Sequence, residues 1–439
     1  MASSTEALLI RPDAGARAAA PGFARAEPVP ASLRLVYAMW VVLLLEPEWW
    51  LATFGAGPLK RIPTLLVPIL IGIALSRADL RVLYWPMGLF FVSHTITLPV
   101  VTNRGYAMDA VKYVLLFYAL LVASVATIDT VRKAVPVVAI FALQFVWWGL
   151  HGLPAGGVSW HSTLSNQDGF GPVMVLGLAF AAPLALGARS RLHRAGAIGI
   201  VGLCAFGLVA SFARGAVLAG GAVLLVLWLR SHRKAAMFVG ILLAVGTIAI
   251  ASRVLFPDGA FWTEMQTITE GFDDPTGADR RDLWWAGWEV FLRSPLVGVG
   301  PSNVGAYAAE HFAFGDARGF YEDPAHLYGR SLHNIYVQLL AEQGLVGVVL
   351  FLVILLDFFR RNRALRMPAA IARWSEGTAG QTDLRAISLG LEAAMAGYLV
   401  SSVFYDQLYS SALYSLVALN LVLWSVTAPP DGPRRAGRP

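Results

Sequence analysis

Apolar runs of near membrane-crossing length recur along most of this chain, and that repetition limits its fold more than any other feature. A helix crossing a bilayer needs about 20 mostly apolar residues, because its backbone polar groups must be satisfied within the segment. Twelve stretches meet or approach that length, near residues 33–54, 62–76, 83–101, 109–127, 134–151, 171–187, 195–211, 215–229, 235–251, 344–359, 386–405 and 409–427. Of the 439 residues, 57% are hydrophobic and only 14% charged; soluble domains carry about 25% charged residues. So few charges cannot cover a water-exposed surface. The expected fold is an all-α polytopic membrane protein with about 12 transmembrane helices. The lone Cys204 excludes an internal disulfide and a thiolate metal cluster.

A net charge of +6 raises the possibility of nucleic-acid binding, but the basic residues fall in short clusters between the apolar runs. That distribution marks membrane orientation instead. With the amino terminus in the cytoplasm, 23 of the 34 Lys and Arg residues lie on the inner side, which places both termini there. The expected organisation is a disordered cytoplasmic tail at 1–32 with no cleavable signal peptide, spans one to nine within 33–251, a large outer loop at 252–333, spans ten to twelve within 334–427, and a second cytoplasmic tail at 428–439. Glu46 and Glu48 interrupt the first span and are expected at the outer interface, since a carboxylate at mid-membrane is expensive.

The 82 residues from Ser252 to His333 break the pattern. Connections longer than about 12–15 residues are usually functional or disordered. This one contains Trp262, Trp284, Trp285 and Trp288, and disordered segments are poor in aromatics. It is expected to fold as a cap, with a short amphipathic helix from Arg280 to Arg293 that turns Trp284, Trp288 and Phe291 toward the headgroup layer.

Three groups of polar residues lie where apolar runs begin or end. Arg214, in Ser211-Phe212-Ala213-Arg214-Gly215, falls at an outer turn between two spans. It reads either as a snorkelling anchor or as an anion site, since a guanidinium grips phosphate oxygens through two parallel bonds and a helix amino terminus follows. Arg280 and Arg281 stand at the start of the expected amphipathic helix, where they oppose its dipole unless an anion is bound; the alternative is a solvated pair balanced by Asp279 and Asp282. Ser294-Pro295-Leu296-Val297-Gly298-Val299-Gly300 reads as a helix stop and a tight, closely packed turn. His333, in Ser331-Leu332-His333-Asn334-Ile335-Tyr336, precedes a helical run broken at Gly344. A histidine there is commonly a cap or a packed residue, but a neutral imidazole also accepts a proton from a sugar hydroxyl. The intervals among His311, Glu322, Asp323 and His326 match no zinc signature, and Asp273-Asp274 reads as a solvated pair before a proline. Ser165-Asn166-Gln167-Asp168-Gly169, in the loop 152–170, is a softer signal that fits an acceptor path or an ordinary turn.

Taken in order, the arginine-glycine at Ser211–Ala216, the Arg-x-x-x-Trp helix with Pro-Leu-x-Gly-x-Gly at Arg280–Gly300, and the His-Asn-x-Tyr helix with Glu-x-Gly-x-x-Gly at His333–Gly347 resemble the O-antigen ligase and polymerase superfamily of bacterial inner-membrane glycosyltransferases. The motif support covers about residues 195–360. The resemblance implies a GT-C-like helical fold with the large loop and the active site on the periplasmic face. It further implies metal-independent transfer, with no cofactor, of a glycan from undecaprenyl diphosphate to a hydroxyl on lipid A core or another glycan, in contact with membrane lipid and without nucleic acid. By motif, Arg214 and either Arg280 or Arg281 fall on diphosphate-binding positions, His333 on that of the general base, and Trp284, Asn334 and Tyr336 on supporting positions. A repeat-unit polymerase and a protein O-glycosylation ligase fit the same motifs. A transporter or flippase shares the twelve-span plan, but ionisable residues are scarce at mid-span and gather at the outer face.

Overall fold

The structure is a computed structural model and describes residues 29–47, 62–76, 83–156, 167–231 and 234–428. Residues 1–28 and 429–439, the larger parts of the two expected tails, lie outside it, as do Glu48, most of the loop 152–170 with Ser165 and Asn166, and the side chain of Asp168. The described residues are helical and irregular, with no strand among them.

In chain order the helices are α1 (Ala31–Leu45), α2 (Ile62–Leu75), α3 (Trp85–Ile96), α4 (Arg104–Thr127), α5 (Val131–Gly152), α6 (Gln167–Gly187), α7 (Arg191–Ala210), α8 (Arg214–Arg230), α9 (Lys234–Leu255), α10 (Ala260–Gln266), α11 (Pro275–Arg293), α12 (Val304–His311), α13 (Ile335–Ala364), α14 (Pro368–Gly377), α15 (Leu384–Ser401) and α16 (Ser411–Thr427). Each expected span coincides, wholly or in its described part, with a helix. Six of these (α4, α5, α6, α7, α9 and α13) are long and apolar enough to cross a membrane, while α1, α2 and α16 are shorter apolar helices. The chain is a polytopic membrane protein.

Helix packing in lipid relies on close approach and polar contacts, because the surrounding tails are as apolar as leucine. The most extensive pairings join α6 to α7 and α15, and α15 to α8. Small residues sit at those contacts. A Cβ on Gly390 of α15 would lie 2.9 Å from the Phe180 carbonyl oxygen of α6, and one on Gly177 would lie 2.4 Å from Cys204 Sγ of α7. Two buried indoles are satisfied across helices: Trp40 Nε1 donates to Ser124 Oγ at 2.9 Å and Trp148 Nε1 to the Leu44 carbonyl at 2.8 Å.

The long connection is an ordered cap. Leu283, Ala286 and Val290 of α11 pack with Val304, Phe312, Tyr321, Leu327 and Leu332 into a separate apolar core that reaches Ala341 of α13. Helix α10 is tied down by Phe261, which packs against Val209 and Ala251. The expected tryptophan face of α11 is corrected in part. Its buried stripe is Leu283, Ala286, Gly287 and Val290, so the cap core takes the apolar stripe; Trp288 stays exposed and Trp284 is half-buried. The helix also begins at Pro275 and not at Arg280, with Asp274 as its cap. Arg280 and Arg281 are therefore in the second turn, where the dipole conflict has weakened.

Two glycine motifs interlock at the base of the cap. Gly344 departs from helical geometry (φ 60°, ψ −162°) and splits α13 into a polar first part and an apolar second part. Its freed backbone groups pair with the segment after α11. Val299 N–H donates to the Ala341 carbonyl (3.0 Å), Gly300 N–H to Glu342 (2.9 Å), Leu345 N–H to Pro295 (2.8 Å) and Val346 N–H to Leu296 (3.1 Å). A Cβ on Gly298 would sit 2.2 Å from the Glu342 carbonyl carbon, and one on Gly344 would sit 2.4 Å from that of Leu296. Both glycines have positive φ, so neither space nor backbone geometry admits a side chain.

Candidate active site

Local folding brings three distant segments to one place. The turn between α7 and α8 carries Phe212 at φ 53° and delivers Arg214 as the first residue of α8. Helix α11 carries Arg280. The residue before the cap of α13 is His333, held at φ 50°, and Asn334 caps the helix by accepting from the N–H groups of Tyr336 (2.9 Å) and Val337 (3.1 Å). A left-handed conformation costs an L-residue about 1–2 kcal/mol. Phe212 and His333 both adopt it, and both line the same cavity.

That cavity has a volume of about 270 Å³. Arg214, Arg280 and His333 line it together, with Glu264, Thr276, Asp279 and Tyr405. A second cavity of about 230 Å³ adjoins it, sharing Arg214, Gly215 and Arg280 but walled largely by Leu218, Ile268, Phe272, Trp284 and Phe404. Two cationic side chains thus stand between a polar hollow and an apolar one.

The arginines differ in their company. Arg214 is not a snorkelling anchor. Its side chain is 17% exposed, with Nη2 3.0 Å from Asp274 Oδ2, Nε 3.4 Å from Glu264 Oε1, and Nη1 bonded to Thr267 Oγ1. Asp274 is equally committed, since the same carboxylate oxygen caps α11 through the Gly277 N–H at 3.1 Å. Burial pushes the Asp274 carboxyl upward, but the Arg214 guanidinium and the cap bond outweigh it and hold the group below the ordinary carboxylate range. Asp273-Asp274 is therefore not a solvated pair: Asp274 is a strut, while Asp273 is exposed. Arg280 has no carboxylate within ion-pair distance among the described residues; its guanidinium carbon lies 5.9 Å from the centre of the Tyr405 ring. Arg281 lines neither cavity. It is half-exposed and pairs with Asp282 at 3.1 Å.

Gly215 acts through a protein neighbour. A Cβ there would lie 2.7 Å from the Phe404 Cβ, so the glycine admits the 402–410 segment against α8, and Tyr405 Oη accepts from the Ala216 N–H at 3.2 Å. Trp284 steadies the segment before His333 by donating from Nε1 to the Leu332 carbonyl at 2.9 Å. Tyr336 turns away from the cavity, donating to the Leu399 carbonyl at 2.7 Å. Asp279, expected to balance the paired arginines, accepts from Tyr321 Oη (2.6 Å) and Arg330 (3.0 Å) instead. Burial, reinforced by the Asp279 carboxylate, pushes the Tyr321 hydroxyl up to about 12, so it remains a donor. His311 stacks on Tyr307 and His326 on Phe320.

Sequence reasoning missed Tyr405, Glu264, Thr276 and the role of Asp274. The only signal for Tyr405 was the polar run Ser401-Ser402 and Asp406-Gln407 between two apolar stretches. Glu264 and Thr276 carry no local signal.

Residues 199–352 match a family model described as O-antigen ligase. The match encloses Arg214, Arg280, Arg281, Trp284, His333, Asn334 and Tyr336, but not Tyr405. A curated relative, the exopolysaccharide production protein ExoQ of Rhizobium meliloti (strain 1021), is 29% identical over 205 residues, which cover 44% of this chain and 44% of that protein. The chain thus aligns with less than half the length of that relative. Motifs, membrane fold and both matches agree in supporting the O-antigen ligase and polymerase superfamily, which this multi-pass membrane protein resembles across residues 199–352.

Proposed function

We propose that the chain is an inner-membrane glycosyltransferase that moves a glycan from undecaprenyl diphosphate to a periplasmic-face acceptor hydroxyl, on lipid A core or a similar glycan, with inversion and without a metal. The observation that carries this reading is the convergence of Arg214, Arg280 and His333 on one cavity that adjoins an apolar one. The diphosphate rests between the two guanidinium groups, the first isoprene units lie among Leu218, Ile268, Phe272 and Phe404, and the sugar projects into the polar cavity toward His333. Both termini are cytoplasmic and the cap is periplasmic in this arrangement.

The acceptor oxygen attacks the anomeric carbon on the face opposite the diphosphate. The bond from that carbon to the diphosphate oxygen breaks, its electron pair leaves with the phosphate, and the acceptor proton passes to His333. Negative charge grows on the leaving oxygens, where Arg214 and Arg280 are already in place. One preorganised donor of this kind contributes about 3–4 kcal/mol to the transition state, and a positioned base typically about 10²–10⁴-fold in rate. Attack opposite the leaving group inverts the configuration.

The exopolysaccharide role in the relative's name favours a second reading, in which the acceptor is another lipid-linked repeat unit and the product a polymer. Purified protein supplied with an undecaprenyl-diphosphate glycan and either lipid A core or a second lipid-linked glycan separates the two by which acceptor is extended. Extension of neither, with membrane-inserted and folded protein, refutes both.

A further inference from the structure

Arg214 faces two carboxylates of unlike character. Asp274 is 13% exposed, 3.0 Å from the guanidinium, and locked by its cap bond to α11. Glu264 is 43% exposed and 3.4 Å away, makes an ion pair but no hydrogen bond with Arg214, and sits on the seven-residue helix α10. The two also face different spaces: Glu264 lines the polar cavity with Arg280 and His333, whereas Asp274 lines the apolar one. An anion drawn to Arg214 from the polar side therefore meets Glu264 first.

Resting on the diphosphate reading above, we propose that Glu264 is a displaceable counter-ion: the donor diphosphate takes its place on Arg214 Nε, and its return helps to expel the product. Transfer frees an ionisable oxygen on the leaving diphosphate, so the product is more negative than the substrate and binds two arginines more tightly. A reaction that ends on its better-held ligand needs a competitor for that ligand. Glu264 is the carboxylate placed to compete, while Asp274 keeps Arg214 aimed throughout. Glu264 is thus a positioning residue that acts through Arg214. Removing its charge and removing that of Asp274 have opposite consequences.

The test uses the full chain in nanodiscs with farnesyl diphosphate as the probe and farnesyl monophosphate as the control. Glu264→Gln keeps shape and removes the competing charge; it is expected to bind farnesyl diphosphate about tenfold more tightly, the scale of one partly screened like charge at close range. In turnover it lowers KM for the lipid-linked donor and also lowers kcat, with stronger inhibition by added farnesyl diphosphate. Asp274→Asn, which still caps α11, binds the probe more weakly than wild type. The monophosphate distinguishes the variants less than the diphosphate does. Unchanged or weaker diphosphate binding by Glu264→Gln, beside saturable binding by wild type, overturns the exchange while leaving the diphosphate site standing. Absence of saturable binding in wild type and both variants overturns the diphosphate reading, and the exchange with it.

Discussion

Replacing each cavity arginine by alanine should separate two jobs that the motifs do not distinguish. Arg214 lies about 3 Å from two carboxylates, where opposite charges attract by roughly 5 kcal/mol at an effective dielectric near 20. Desolvation and partial exposure offset most of that, leaving about 1–3 kcal/mol to lose when the cation is removed and Asp274 is left without its main partner. Arg280 has no carboxylate partner among the described residues, only the Tyr405 ring at 5.9 Å, so its removal costs about 0.5 kcal/mol or less. Arg214→Ala is therefore expected to melt a few degrees below wild type and Arg280→Ala within a degree or so of it, while transfer falls by about 10²–10³-fold in both. Thermal unfolding of detergent-purified protein, run beside a gel-shift assay of the extended acceptor, reads both effects. Full transfer by Arg280→Ala would refute its diphosphate role, and equal melting losses would refute the division between strut and free cation.

Further expectations concern the histidine, the interlocked glycines, the strut and metal chelation. His333→Ala removes the proposed base and should abolish transfer while membrane insertion and folding persist; His333→Gly, which relaxes φ 50°, should be equally inactive yet melt no lower than His333→Ala. Gly298→Ala places a Cβ 2.2 Å from backbone at positive φ and should cost about 2–5 kcal/mol, seen as little folded protein by size-exclusion fluorescence. Because the folded Asp274 carboxyl is held below its ordinary value, its contribution is fully present above the unfolded carboxylate range, near pH 4, and is lost as pH falls through the depressed folded value. The melting difference between wild type and Asp274→Asn should accordingly be constant above about pH 5 and shrink toward zero in acid; a difference that grows in acid contradicts the pairing. EDTA should leave the transfer rate unchanged, and strong inhibition would contradict a purely cationic stabilisation.

Much of this architecture was legible because hydropathy is a local signal: ten to twenty consecutive side chains vote together for a helix, and α4, α5 and α13 are unmistakable in that vote. The cap was legible by exclusion, as the one long polar stretch with too many aromatics to be disordered. Arg214, Arg280 and His333 were legible as motif positions, and they do meet in one cavity. Their partners were not, because a contact such as Arg214 with Glu264 joins residues fifty apart with no periodicity to announce it. The role of Gly215 is hidden for a related reason: a glycine marks close approach, but its neighbour, here Phe404, comes from nearly the other end of the chain. The start of α11 was placed a turn late because Pro275 reads as a breaker until Asp274 is seen to cap it.

The interlock of Pro295–Gly300 with Ala341–Val346 divides the cap by its tolerance to changes in length. Between these strips the polypeptide leaves and returns to the same clasp, so insertions around Phe314 or Tyr328, both exposed, enlarge a loop whose ends stay fastened. One residue added inside either strip slides every paired amide out of step and turns Gly298 away from the only backbone it fits. Length changes among related chains are accordingly expected between the two strips, with the spacing within each strip held constant.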